Sequence, residues 1–136
     1  MIKRIYVDNF RCLVNFELRL DRLNLMLGDN GVGKTTVFDV IHRLRQFICG
    51  KEKVNTLFPA RDLTRWQDSN IQRFELDFLI DKNLYSYTLQ MEHDVDKRLM
   101  RVKQERLLYG TKPLPKVFGL NATMVARFVS AFSPNP

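Results

Sequence analysis

Apolar and polar positions alternate at the start of the chain, and that alternation predicts strands. Between Ile2 and Asp8, Ile5 and Val7 fall on one side with Arg4 and Tyr6 on the other; Phe16, Leu18 and Leu20 then alternate with Glu17 and Arg19. Leu23-Asn24-Leu25-Met26-Leu27 is a further apolar run of strand length. Beyond it the period lengthens. Val37, Val40, Ile41, Leu44, Phe47 and Ile48 recur at helical spacing, which assigns Asp39, Arg43, Arg45 and Gln46 to solvent and places Gly50 as a C-terminal cap. His42 lies beside the stripe and reads as structural. Residues 51–70 carry little periodicity, with a short helix over about Ala60 to Trp66 the best reading; packing is the expected role of Trp66, and stacking on a base is the alternative.

The two-residue period then returns in a three-strand meander. Phe74, Leu76, Phe78 and Ile80 alternate with Arg73, Glu75 and Asp77; after Asp81-Lys82-Asn83, Tyr85, Tyr87, Leu89 and Met91 alternate with Ser86, Thr88 and Gln90. A turn over His93 to Lys97 leads into a third strand, Arg98 to Tyr109, and one face of this antiparallel sheet is expected to be wet. Gly110 to Pro115 reads as a turn or linker, and Val125, Phe128, Val129 and Phe132 as an amphipathic helix beginning near Asn121 and stopped by Ser133-Pro134.

Composition narrows the class. A chain of 136 residues suits a single core, and 22 Lys plus Arg against 15 Asp plus Glu give a net charge of +7, a balance suited to polyanionic partners. Lys97, Arg98, Arg101, Lys103 and Arg106 gather on the last meander strand, either as a solvated face or as a DNA contact. Two cysteines, Cys12 and Cys49, do not make a disulfide framework. The first residues lack the apolar core of a signal peptide, and no apolar run is of membrane length. A cytoplasmic protein with no membrane role is expected.

The chemistry sits between the run at 23–27 and the helical stripe. Gly28-Asp29-Asn30-Gly31-Val32-Gly33-Lys34-Thr35-Thr36 matches G-x-x-x-x-G-K-[ST] in strand, loop, helix order. Glycines without a Cβ let the backbone N–H groups from Asn30 to Thr36 approach a phosphate chain closely, and the helix adds its first-turn amides. Asn30, Gly31, Gly33, Lys34, Thr35 and Thr36 are therefore the nucleotide-binding candidates. Lys34 is suited to the β- and γ-phosphates of ATP, Thr35 to Mg²⁺ and Thr36 to the α-phosphate.

Residues 1–110 resemble the N-terminal lobe of ABC-type heads among AAA-family P-loop ATPases, of the RecF, SMC and OLD-nuclease kind. Lys3-Arg4-Ile5-Tyr6-Val7-Asp8-Asn9-Phe10-Arg11 is similar to their opening strand, residues 28–36 to their phosphate loop, and the meander to theirs. The resemblance implies an α/β fold in which a mixed sheet surrounds the P-loop helix beside an antiparallel three-strand meander. It also implies that Arg11 approaches the nucleotide phosphates and that ATP with Mg²⁺ drives engagement with a second head, with DNA as a partner. The sequence has no Walker B run of apolar residues before Asp-Glu and no Leu-Ser-Gly-Gly-Gln signature; Phe74-Glu75-Leu76-Asp77-Phe78 alternates instead. The expectation is thus an amino-terminal lobe followed by a linker and helix over 111–136, without catalytic residues of its own and completed by a C-terminal ATPase half in an oligomer. A non-catalytic nucleotide-binding or protein-interaction module is the alternative. A complete small kinase or GTPase ranks last: no Asn-Lys-x-Asp guanine reader occurs, and a kinase would have to transfer phosphoryl to some acceptor.

Overall fold

A computed structural model describes residues 1–21 and 33–110 and the backbone of 112–113. Strands β1 (Ile2–Asp8) and β2 (Phe16–Arg19) form a hairpin, followed by helix α1 (Lys34–Ile48), a single turn α2 (Val54–Leu57), and a 3₁₀ turn (Ala60–Asp62). The meander comprises β3 (Ile71–Ile80), β4 (Asn83–Asp94) and β5 (Leu99–Tyr109), extended by β6 (Lys112–Pro113) inside the stretch expected to be a linker.

The hairpin and the meander are one sheet rather than two units. Its order is β2-β1-β3-β4-β5-β6, and every described pairing is antiparallel. The expected strand at 23–27, on which a mixed sheet depends, and the expected helix near 121–132 lie outside the described residues. β1 joins β3 in a register that sets Ile5 against Leu76 and Val7 against Phe74. The rows continue through Tyr87 and Leu89 of β4, so the alternating apolar positions of four strands reach one face, with Leu107 on β5.

Helix α1 covers that face with Val37, Val40, Leu44 and Ile48, as its stripe predicted. Its C-terminus closes through Gly50 in a left-handed conformation (φ 66), with Gly50 N–H on Phe47 O at 2.9 Å and Lys51 N–H on Gln46 O at 3.0 Å. Phe10 meets Phe58 and Phe74 edge to face at the same end of the core, and Phe58 and Phe74 lie tilted against each other, bringing the β1–β2 connection and the segment after α1 together.

Two local devices fix the meander. Asp81 and Lys82 both take positive φ (50 and 66), the twist-matched two-residue hairpin that pairs Ile80 with Asn83. A bulge opposite Gln90 and Met91 leaves Lys103 unpaired and turns Val102 toward the core beside Met91. Arg101, Gln104 and Arg106 consequently share the outer face despite their sequence parity, because they oppose Glu92, Gln90 and Thr88.

Candidate nucleotide site at the start of the long helix

Of the phosphate-loop candidates, Gly33, Lys34, Thr35 and Thr36 are described, while Asn30 and Gly31 lie outside the described residues. Gly33 is the N-cap of α1 and is left-handed (φ 95). A Cβ there would sit 3.1 Å from Cys12 Sγ and 3.4 Å from Leu13 Cδ2, so the left-handed conformation calls for glycine and the close β1–β2 connection would have to give by a few tenths of an ångström to admit a side chain. The first backbone bond of the helix runs from Val37 N–H to Gly33 O at 3.0 Å, which leaves the amides of residues 34–36 outside the intrahelical ladder. Among the described residues no side chain caps this end, and no acid occupies its first turn. The end keeps its partial positive charge, and Thr35 is exposed there.

Arg11 stands beside this helix start, in the connection whose Cys12 Sγ lies 4.0 Å from Thr36 Oγ1. Its backbone is left-handed (φ 51), uncommon for a long side chain, and is tied on both sides: Arg11 N–H donates to Asp62 O at 2.7 Å, and Thr64 Oγ1 donates to Arg11 O at 2.8 Å. The guanidinium donates from Nε to Asp62 Oδ1 at 2.9 Å and pairs through Nη1 with Asp39 Oδ2 at 2.9 Å. Burial acts to lower the Arg11 pKa, but the Asp62 hydrogen bond and the charges of Asp62 and Asp39 outweigh it and raise it above the ordinary value.

Arg43 completes the cluster, bonding Asp62 Oδ2 at 2.8 Å, Asp39 Oδ2 at 3.1 Å and the carbonyl of Leu57. Asp39 and Arg43 are therefore not simply on the solvent face, as the helical pattern suggested; their side chains are 28% and 17% exposed. The spacing of Asp39 and Arg43 at i, i+4 was a visible signal for that pair. Nothing in the sequence pointed to Asp62, 8% exposed, which arrives from the 3₁₀ turn.

Behind Arg11, the fully buried Asn9 adopts φ 62 and satisfies three backbone groups. Its Nδ2 donates to Ser69 O (2.8 Å) and Ile71 O (3.0 Å), and its Oδ1 accepts from Thr64 N–H (3.0 Å). Gln72 Nε2 donates to Asn9 O at 2.9 Å, while Gln72 Oε1 lies 2.8 Å from His93 Nε2. A buried polar chain thus runs from the Asn9-Phe10-Arg11 corner to the end of β4.

Other candidates fall elsewhere. Asp77 is on the sheet face opposite α1, where it pairs with Arg4 at 2.8 Å. Trp66 is 70% exposed, correcting the expectation that it packs: the chain from Thr64 to Asn70 forms no helix or strand, and no element among the described residues covers it. The basic strand is exposed, with Arg101 paired to Glu92 and Lys97 4.0 Å from Asp94. Among the described residues no group of His, Cys, Asp and Glu could hold a metal ion, and no helix is long and apolar enough to cross a membrane.

This arrangement, an antiparallel sheet backed by a helix that starts at a glycine and lysine, has known counterparts. The AAA ATPase domain family matches residues 1–113, and the chain belongs to it. It is similar to the OLD nuclease of Thermus scotoductus, at 40% identity over 63 residues covering 40% of this chain and 12% of that protein. The chain thus spans only a small part of the nuclease's length. A solved SMC ATPase structure, described in terms of ATP-driven dimerization and DNA-stimulated activation, shares the fold with a TM-score of 0.58 at 12% identity, covering 98% of this chain and 81% of the other. Within that family it is thus similar over a short stretch of sequence to an OLD nuclease and in fold to an SMC ATPase.

Proposed function

We propose that this protein binds ATP with Mg²⁺ through the Walker A loop at 28–36, as the N-terminal lobe (residues 1–110) of an ABC-type ATPase that works on DNA in repair, chromosome maintenance or phage defence. The observation that carries this is the left-handed Gly33 at the start of α1, directly followed by Lys34, Thr35 and Thr36, whose amides lie outside the helix's own ladder. Lys34 holds the β- and γ-phosphates and Thr36 the α-phosphate, with Asn30, Gly31 and Gly33 supplying backbone approach. Mg²⁺ at Thr35 neutralises phosphate charge when bound, and Arg11 adds a cation from the adjoining connection. Residues 111–136 serve as a linker and helix toward the remainder of the head.

Phosphate binding here needs no acid from this chain, but hydrolysis needs one to orient water. The ion pair of Asp77 with Arg4, on the far face of the sheet, supports a source outside the lobe. A C-terminal half and a second head supply the missing acids and signature residues, and the exposed basic residues of β5 face DNA. Titration with a fluorescent ATP analogue tests the reading: Lys34→Ala should abolish binding while leaving the fold intact. Equal binding by the variant would refute it, and rapid turnover by this chain alone would refute the external source of catalytic acids.

A further inference from the structure

Arg11 is constrained more heavily than a surface arginine needs to be. Its φ is left-handed, its N–H and C=O are bonded to Asp62 and Thr64, and its guanidinium lies over the Phe10 ring at 5.1 Å while two carboxylates hold Nε and Nη1. Among the described residues Nη2 makes no hydrogen bond. One of the two carboxylates, Asp39, belongs to α1, the helix whose first turn is the candidate phosphate site. The other, Asp62, comes from the 3₁₀ turn.

Arg43 explains how this holder is built. It bonds Oδ2 of both aspartates, so each carboxylate is fixed before Arg11 is considered, and two arginines balance two aspartates. We infer that Asp62 and Asp39, locked by Arg43, are positioning residues that set the Arg11 side chain for an anionic phosphate beside the start of α1, leaving Nη2 to make the contact. The inference rests on the nucleotide reading above. Pre-fixing a long side chain removes its ordering cost at the moment of binding, which is where the affinity comes from.

A contrary arrangement is physically available: the aspartates could sequester Arg11 from the phosphate, in which case removing one would tighten binding. The sign therefore decides. Titrating the protein with ATP and Mg²⁺, Asp62→Asn and Asp39→Asn should each weaken binding, Asp62→Asn by roughly tenfold. Neither should have an effect in an Arg11→Ala background, a readout that a merely structural role would not give. Tighter or unchanged binding, or the same loss without Arg11, overturns the inference. Should Asp62→Asn fail to fold, Asp39→Asn at the more exposed position carries the same test. Lys34→Ala separates the two levels: normal binding by that variant fails the nucleotide reading itself, whereas lost binding there with unchanged binding in the aspartate variants fails only the positioning role.

Discussion

On the open face of the sheet one arginine, Arg4, meets three carboxylates, at 2.6 Å from Glu75, 2.8 Å from Asp77 and 3.3 Å from Glu17. At the corner beside α1, Arg11 and Arg43 instead alternate with Asp39 and Asp62. The first network joins β2, β1 and β3, which their backbone ladders already hold in register. The second joins a loop, a helix and a 3₁₀ turn that no ladder connects. Similar chemistry thus has different consequences: across paired strands it adds to an existing constraint, and at the corner it helps create the constraint.

That contrast can be broken at its strongest point by Asn9→Ala. The substitution abandons three backbone partners in buried or part-buried hydrogen bonds and places alanine at φ 62, so unfolding in urea should show a loss of about 3 kcal/mol. Arg43→Met comes next. Among the described residues Asp62 then keeps only Arg11 as a cation and the Leu57 carbonyl loses the Arg43 donor, with an expected cost of about 2 kcal/mol by the same measurement. Arg4→Met, on the partly solvated face where water screens the remaining acids, should cost only about 1 kcal/mol. A loss at Arg4 exceeding that at Arg43 would reverse the comparison.

The smallest effect sharpens it through pH. Burial lowers the pKa of the His93 imidazole from its ordinary 6.5. The unfolded chain therefore takes up that proton at higher pH than the folded one. The stabilising contribution is complete above about pH 6.5 and is lost as pH falls through the lowered value. His93→Gln should flatten stability against pH across that window, as followed by thermal unfolding. The polar chain through Gln72 and Asn9 connects this titration to the corner rather than to the Arg4 network.

The strands of the hairpin and meander and the buried stripe of α1 were legible because each follows from local periodicity. Even Gly50 announced its role. The bulge at Lys103 was not legible, since it depends on how Met91 and Val102 fit across two strands. Nor was the exposure of Trp66, because whether an aromatic side chain packs depends on which element passes over it. At the site, the phosphate-loop motif stood out as residue types in a pattern and Arg11 only through the family resemblance, whereas the aspartates that hold Arg11 are 28 and 51 positions away from it.

By itself, then, the sequence determined where strands and helix begin and which nine residues, 28–36, carry the phosphate-loop motif, because both are set by neighbours along the chain. Only the tertiary structure decided that hairpin and meander make one sheet, and that Asp39, Asp62 and Arg43 close around Arg11. Opposite charges from separate segments pair here where the buried Phe10, Phe58 and Phe74 hold those segments together.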